Sequence, residues 1–128
     1  MRLLLDTHVI LWSVREPERL RAPVAEALED AENELWYTPI SVWEVLILSE
    51  RKRLPRFGSI GRHDIDELFE EFQEAPLNKH VAIASRTIEL PHADPADRFI
   101  AATALVYDLT LVTEDRNLAR TPGISVFR

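Results

Sequence analysis

Carboxylates recur in this chain where the backbone changes character. Asp6 closes the apolar run RLLL, residues 2 to 5. Glu44 stands three residues after Ser41 in SVWEVLILSE. Asp94 and Asp97 open HADPADRFIAATA, and Asp115 follows TLVT, Thr110 to Thr113. Four carboxylates brought close together repel, and some take up protons unless a cation neutralises them. The chain has no Cys, so a thiolate metal site is excluded. An all-oxygen donor set points to a hard cation, Mg²⁺ or Mn²⁺.

Each acid also has a simpler explanation. Asp94 before Pro95 reads as N-cap and first residue of a helix. Asp97 is then the third helical residue, where a carboxylate favours the positive helix end. Glu44 and Ser41 form a capping-box pattern. Glu114 and Asp115 suit the first turn of a short helix. Asp6 is the hardest to explain as a cap alone, because it stands where an apolar strand meets an apolar helix. The combination carries more than any member: Asp6, Glu44, Asp97 and Asp115 all fall at strand ends or in first helical turns, positions that can converge on one cleft. The histidines, His8, His63, His80 and His92, lack ligand spacing such as HExxH and are expected to be surface or hydrogen-bonded residues. Trp12, Trp36 and Trp43 lie in apolar runs and are expected in the core. No GxGxxG or GKS/T loop supports nucleotide binding.

The elements that would position these acids can be read from the apolar pattern. Strands are expected at residues 2 to 5, around Leu35 to Tyr37, from Ala75 to Leu77, from Thr110 to Thr113, and in ISVF near the C-terminus. Helices are expected in THVILWSV, at residues 22 to 30, from Ser41, in DIDELFEEFQE from Asp64, in HVAIASRTIEL and after Asp94. Short apolar strands alternating with helices predict an α/β/α sandwich with a mainly parallel central sheet. Ligands gather at the carboxyl ends of such strands, and Asp6 and Asp115 occupy two of them.

The 128 residues suit a single domain spanning 1 to 128, and 46% apolar residues with three Gly argue against disorder. No apolar run approaches the length of a membrane span, and MRLLLDTHVILW lacks the pattern of a signal peptide, so a cytoplasmic protein with no membrane partner is expected. The formal charge of −7 argues against a general polyanion binder. The segment RKRLPRFGSIGRH, however, carries +5 from Arg51, Lys52, Arg53, Arg56 and Arg62 with no acid, which leaves −12 on the rest.

With these residues in view, the chain resembles the PIN-domain ribonucleases of the VapC toxin type. LLLDTH is similar to the family's opening strand and first acid, and SVWEV to the helix with the second. HADPADRFIAATA resembles the histidine-x-Asp-Pro-x-Asp-Arg segment of one subgroup, which maps the third acid to Asp97. LVTEDRNL resembles the Thr-x-Asp motif, giving Asp115 with Thr113 as hydroxyl support. The resemblance runs nearly end to end, with all four blocks in order.

It implies a PIN-like fold and divalent-metal-dependent hydrolysis of RNA, leaving a 5′-phosphate and a 3′-hydroxyl without a covalent intermediate. Asp6, Asp97 and Asp115 would bind Mg²⁺ or Mn²⁺. Glu44 would be a further ligand, directly or through water, or would orient the attacking water. Asp94 would support the site from behind. Arg51, Lys52, Arg53, Arg56 and Arg62 would contact RNA phosphates, against the alternative of a solvated loop. A cognate antitoxin and a homodimer are implied as well, the latter through apolar residues such as Val45, Leu46, Leu48, Leu68 and Phe69. Rival readings are a catalytically silent protein-binding module of the same fold and a phospho-acceptor switch domain. The second would want paired acids after the first strand, where only Asp6 stands.

Overall fold

The computed structural model describes residues 1–51, 62–90 and 94–128; of Arg62 only the backbone is described. Five strands form one sheet: β1 (Arg2–Leu5), β2 (Glu34–Tyr37), β3 (Gln73–Glu74), β4 (Thr110–Val112) and β5 (Ser125–Phe127). The order across the sheet is β3-β2-β1-β4-β5 and every pairing is parallel. The expected mainly parallel sheet is thus wholly parallel among the described residues. Helices α1 (Thr7–Arg15), α2 (Ala22–Glu29), α3 (Pro39–Glu50), α4 (Arg62–Phe69), α5 (Lys79–Thr87), α6 (Pro95–Tyr107) and α7 (Arg116–Ala119) connect them.

Alternation along the strands sorts these helices into two layers. Leu3, Leu5 and Val112 face one side and pack with Val9, Ile10 and Leu11 of α1, Val24 of α2, Val45 of α3 and Leu68 and Phe69 of α4. Leu4 and Leu111 face the other side and pack with Val81 and Ala84 of α5, Ile100 to Ala102 of α6 and Leu118 of α7. The result is the expected α/β/α sandwich. A strand buried on both faces needs apolar residues throughout, and Leu3, Leu4 and Leu5 are all fully buried. At roughly 1.5–3 kcal/mol per buried Leu side chain, β1 is the best-anchored strand. It carries Asp6 at its end.

From β1 the chain moves through α1 and α2 to β2 on one side, and returns later to β4 on the other. The carboxyl ends of β1 and β4 therefore flank the point where strand order reverses, where open α/β sheets form a crevice.

Several boundaries differ from expectation. Helix α3 begins at Pro39, not Ser41. Thr38 is its N-cap and accepts from Ile40 N–H, while Pro39 is pre-shaped for the first turn. Ser41 is fully buried inside that turn, so the expected capping box does not form. Strand β3 ends before the expected residues 75 to 77, although Ala75 N–H still bonds the Tyr37 carbonyl at 2.8 Å. Trp43, expected in the core, is 50% exposed, and Trp12 and Trp36 are only partly buried. Of the apolar residues considered for a dimer face, Val45, Leu68 and Phe69 are core; Leu46 alone is open, at 38%. Lys52, Arg53, Arg56 and His92 lie outside the described residues, as does the side chain of Arg62. Among the described residues no helix is long and apolar enough to cross a membrane.

Candidate active site

Asp6 is held from three directions. Its backbone N–H donates to the Val112 carbonyl at 3.0 Å, tying the end of β1 to the end of β4. Its Oδ1 accepts from Thr7 N–H at 2.7 Å as the cap of α1, and its Oδ2 accepts from Thr113 Oγ1 at 2.7 Å. The same Thr113 oxygen accepts from Asp115 N–H at 3.0 Å. One buried hydroxyl therefore sets the spacing between the first and last acids. Asp115 itself caps α7, accepting from Leu118 N–H at 2.9 Å.

Glu44 reaches this corner from α3, one turn beyond Ser41. Its Oε1 accepts from Thr7 Oγ1 at 2.5 Å, and Thr7 Oγ1 lies 2.8 Å from Ser41 Oγ. A threonine hydroxyl has one proton. Thr7 gives it to Glu44, so Ser41 must be the donor to Thr7. The order is Ser41 to Thr7 to Glu44, and the first two residues are buried.

Asp94 and Asp97 arrive from the start of α6. Asp94 is its N-cap, accepting from Asp97 N–H at 2.9 Å. Arg98 fixes this end of the helix: its three guanidinium nitrogens donate to the carbonyls of Ser85, Leu90 and Ile88 at 2.8–3.0 Å. The arginine of the HADPADR segment thus clamps the end of α5 and does not enter the cleft.

These residues line one cleft of about 290 Å³: Asp6, Glu44, Asp94, Asp97 and Asp115, joined by Glu114, His8 and Trp12. Six carboxylates face it, and among the described residues no Lys or Arg side chain lines it. Burial raises Asp6, against the pull of hydrogen bonds from Thr113 and Thr7 and the nearby His8. Burial likewise raises Glu44, opposed by the Thr7 hydrogen bond and helped by repulsion from Asp6 and Asp94. Asp97 is pushed up to about 7, by burial first and then by repulsion from Asp94, Asp6, Asp115 and Glu44. All four neighbours act on it, which marks the set as one electrostatic unit. Among the described residues no three His, Cys, Asp or Glu side chains already stand as a closed metal cage. The chemistry of the donors nonetheless fits a hard divalent cation. They are oxygen only and carry one sign, and a cation among them would relieve the burial and repulsion that raise Asp6, Glu44 and Asp97. A larger open groove of about 1010 Å³ runs along α4 beside Tyr37, Val42 and Phe69. It shares no residue with the acidic cleft.

The structure brings together all the expected acids: Asp6, Glu44, Asp97 and Asp115, with Thr113 and Asp94 beside them. It adds His8, Trp12 and Glu114 to the cleft wall, and Thr7, Ser41 and Arg98 as the groups that hold it. His8 is a surface residue, as expected, and lies on the cleft wall; its i, i+4 relation to Trp12, with ring centroids 6.0 Å apart, is the signal that pairs the two. Of the basic run, Arg51 is exposed at the end of α3, near Glu44 and Asp94.

The PIN domain family matches residues 3–124 of the chain. Ribonuclease VapC22 of Mycobacterium tuberculosis (strain ATCC 25618 / H37Rv) is 34% identical over 119 residues, spanning 91% of this chain and 88% of that protein. The fold is similar to that of VapBC2 from Rickettsia felis, solved bound to a DNA fragment from their promoter. That match has a TM-score of 0.73 at 17% identity and covers 99% of this chain and 98% of the other. DNA-bound VapBC from Salmonella typhimurium gives 0.72 at 18% identity, with coverage of 99% and 97%.

Proposed function

The chain belongs to the PIN domain family, and from that membership we propose that it is a divalent-metal-dependent ribonuclease, the toxin of a toxin–antitoxin pair. The observation that supports this reading is the cleft at the strand-order reversal, lined by six carboxylates and, among the described residues, by no Lys or Arg. Asp6, Asp97 and Asp115 would hold Mg²⁺ or Mn²⁺, with Glu44 as a further ligand or as the group that orients the attacking water. When bound, such an ion supplies charge neutralisation on the phosphate and a more acidic water. The chain's own part is geometric. Thr113 keeps Asp6 and Asp115 at fixed spacing, and Asp94 squares the start of α6 so that Asp97 faces inward.

Phosphates of RNA flanking the cleft would meet Arg51 and the basic residues after it, Lys52, Arg53, Arg56 and Arg62. A cytoplasmic antitoxin would supply a cation to this carboxylate set, since an arginine can engage a carboxylate in bidentate fashion. A homodimer belongs to the same reading, with Leu46 as its exposed apolar contribution. We also treat residues 1 to 128 as one domain. The test is direct: purified protein with Mn²⁺ should cut RNA to fragments bearing 5′-phosphates, and excess EDTA should stop it. Cleavage that persists in EDTA would exclude the metal mechanism.

Thr7 gives a second test of the same arrangement. Thr7→Val keeps the shape of the side chain and removes the proton given to Glu44. Cleavage should fall about tenfold, the equivalent of one lost charge-assisted hydrogen bond. Thr7→Ser should restore it, because the hydroxyl returns. Equal rates for the Val and Ser variants would mean that the Thr7 hydrogen bond does not position Glu44.

A further inference from the structure

A second hollow lies beside the acidic cleft. Trp43 and Ile47 of α3 and its C-cap residue Arg51 follow one another at i, i+4 and i+8, along one side of the helix. Glu44 and Leu48 form the neighbouring stripe. Across from them stand Asp94, Pro95 and Ala96 at the start of α6. These residues line a space of about 290 Å³ that shares Glu44 and Asp94 with the cleft. The two hollows are therefore neighbours, separated by Glu44 and Asp94, and an extended chain can reach from one to the other.

The chemistry changes along this path. The cleft sets six carboxylates beside His8 and Trp12, whereas the hollow adds to Glu44 and Asp94 the Trp43 indole, the aliphatic Ile47 and Leu48 and the Arg51 guanidinium. Trp43 is 50% exposed, although its neighbour Val45 is fully buried. Arg51 follows Trp43 by eight residues, about 12 Å along the helix axis, a span that suits a base followed by a backbone phosphate. Flat aromatic faces stack on unpaired bases irrespective of sequence, and cations beside them take the phosphodiester charge.

We propose that this hollow is a nucleobase subsite. The base of a nucleotide next to the scissile phosphate stacks on Trp43, and Arg51 holds a phosphate beyond it. The proposal rests on the ribonuclease reading and adds to it the form of RNA that the site takes: a single strand with at least one splayed base. A protein partner covering Trp43 is the competing occupant. The shared wall with the carboxylate cleft and the placement of Arg51 favour RNA.

The test uses the full-length Asp6→Asn protein with Mg²⁺, so that RNA is bound and not cut. The probe is a single-stranded RNA hexamer carrying 2-aminopurine at each position in turn, whose fluorescence falls on stacking. One position should be quenched on binding. Adding Trp43→Ala should abolish that quench and weaken binding about tenfold, the scale of one lost base stack. Trp43→Phe should keep both. Arg51→Gln should weaken binding and flatten its salt dependence. Unchanged quench and affinity in the Trp43→Ala protein would overturn the subsite. So would a Trp43→Ala protein that loses self-association or antitoxin binding while its RNA binding stays intact. If the parent fails to cut RNA yet the hexamer stacks on Trp43, the subsite stands and the ribonuclease reading falls.

Discussion

Asp6→Asn should remove RNA cleavage, with kcat/KM falling by about 10²–10³-fold or more, the scale of one lost preorganised electrostatic contact. Asp6 is 8% exposed and stands between the ends of β1 and β4. In the proposed metal mechanism it is one of the ligands. The substitution keeps the volume and one carbonyl oxygen, so the bond from Thr7 N–H can persist. The other oxygen becomes an amide nitrogen facing Thr113 Oγ1, and the cost of that mismatch is on the order of 1 kcal/mol. Removing a buried charge offsets part of it. The melting temperature in EDTA should therefore stay close to that of the parent while activity disappears. A purified Asp6→Asn protein that cuts RNA at the parental rate would end the assignment of Asp6. A protein that loses activity only because it unfolds would show a large fall in melting temperature, which separates the two outcomes.

The parts of this site that sequence makes legible are those set by local rules. Asp6 follows three consecutive leucines, Asp94 precedes Pro95, and Asp115 ends an apolar triplet and a threonine. Strand ends and helix caps are encoded within a few residues. Glu44 is legible in position, but for a different reason from the one its spacing suggests. Ser41 and Glu44 match a capping box, yet Thr38 and Pro39 already start the helix. This frees Ser41 and Glu44 to meet Thr7, 34 and 37 residues away in sequence. No local pattern announces a hydrogen bond of that range. Trp43 was misplaced for a related reason. Helix α3 is apolar on nearly every face, so periodicity does not say which side meets the sheet, and only packing against β1 and α1 chooses Val45 over Trp43. Arg98 shows the same limit. It sits beside Asp97 in the chain, but its guanidinium is taken up by carbonyls at the end of α5.

In the absence of divalent ions, the melting temperature should fall as pH rises from about 5 to 7.5, and Asp97→Asn should reduce that fall. The sign follows from Asp97, whose carboxyl is raised from 3.8 to about 7 in the folded protein. Between those values the unfolded chain has released a proton that the folded chain keeps. Stability therefore declines with rising pH across that window and levels off above it. Asp6 and Glu44 are raised too and add in the same direction. At pH 7.5 in EDTA the Asp97→Asn protein should consequently melt higher than the parent, because one repelling charge is gone. Mn²⁺ should invert this order. A ligand at a hundredfold excess over its Kd stabilises by about 2.7 kcal/mol, several degrees for a chain of this size, and Asp97→Asn forfeits part of that gain. Protons and the cation compete for the same oxygens, so the rise given by Mn²⁺ should be larger at pH 7.5 than at pH 5.5. A metal-free parent that grows more stable from pH 5 to 7.5, or an Mn²⁺ effect equal at both pH values, would mean that the acids do not act as one cation-seeking set. The expected pattern would mean that the metal-free cleft is held against the burial and repulsion of its own acids by Thr7, Thr113 and Arg98. The fold would then keep in reserve the charge that a bound cation neutralises.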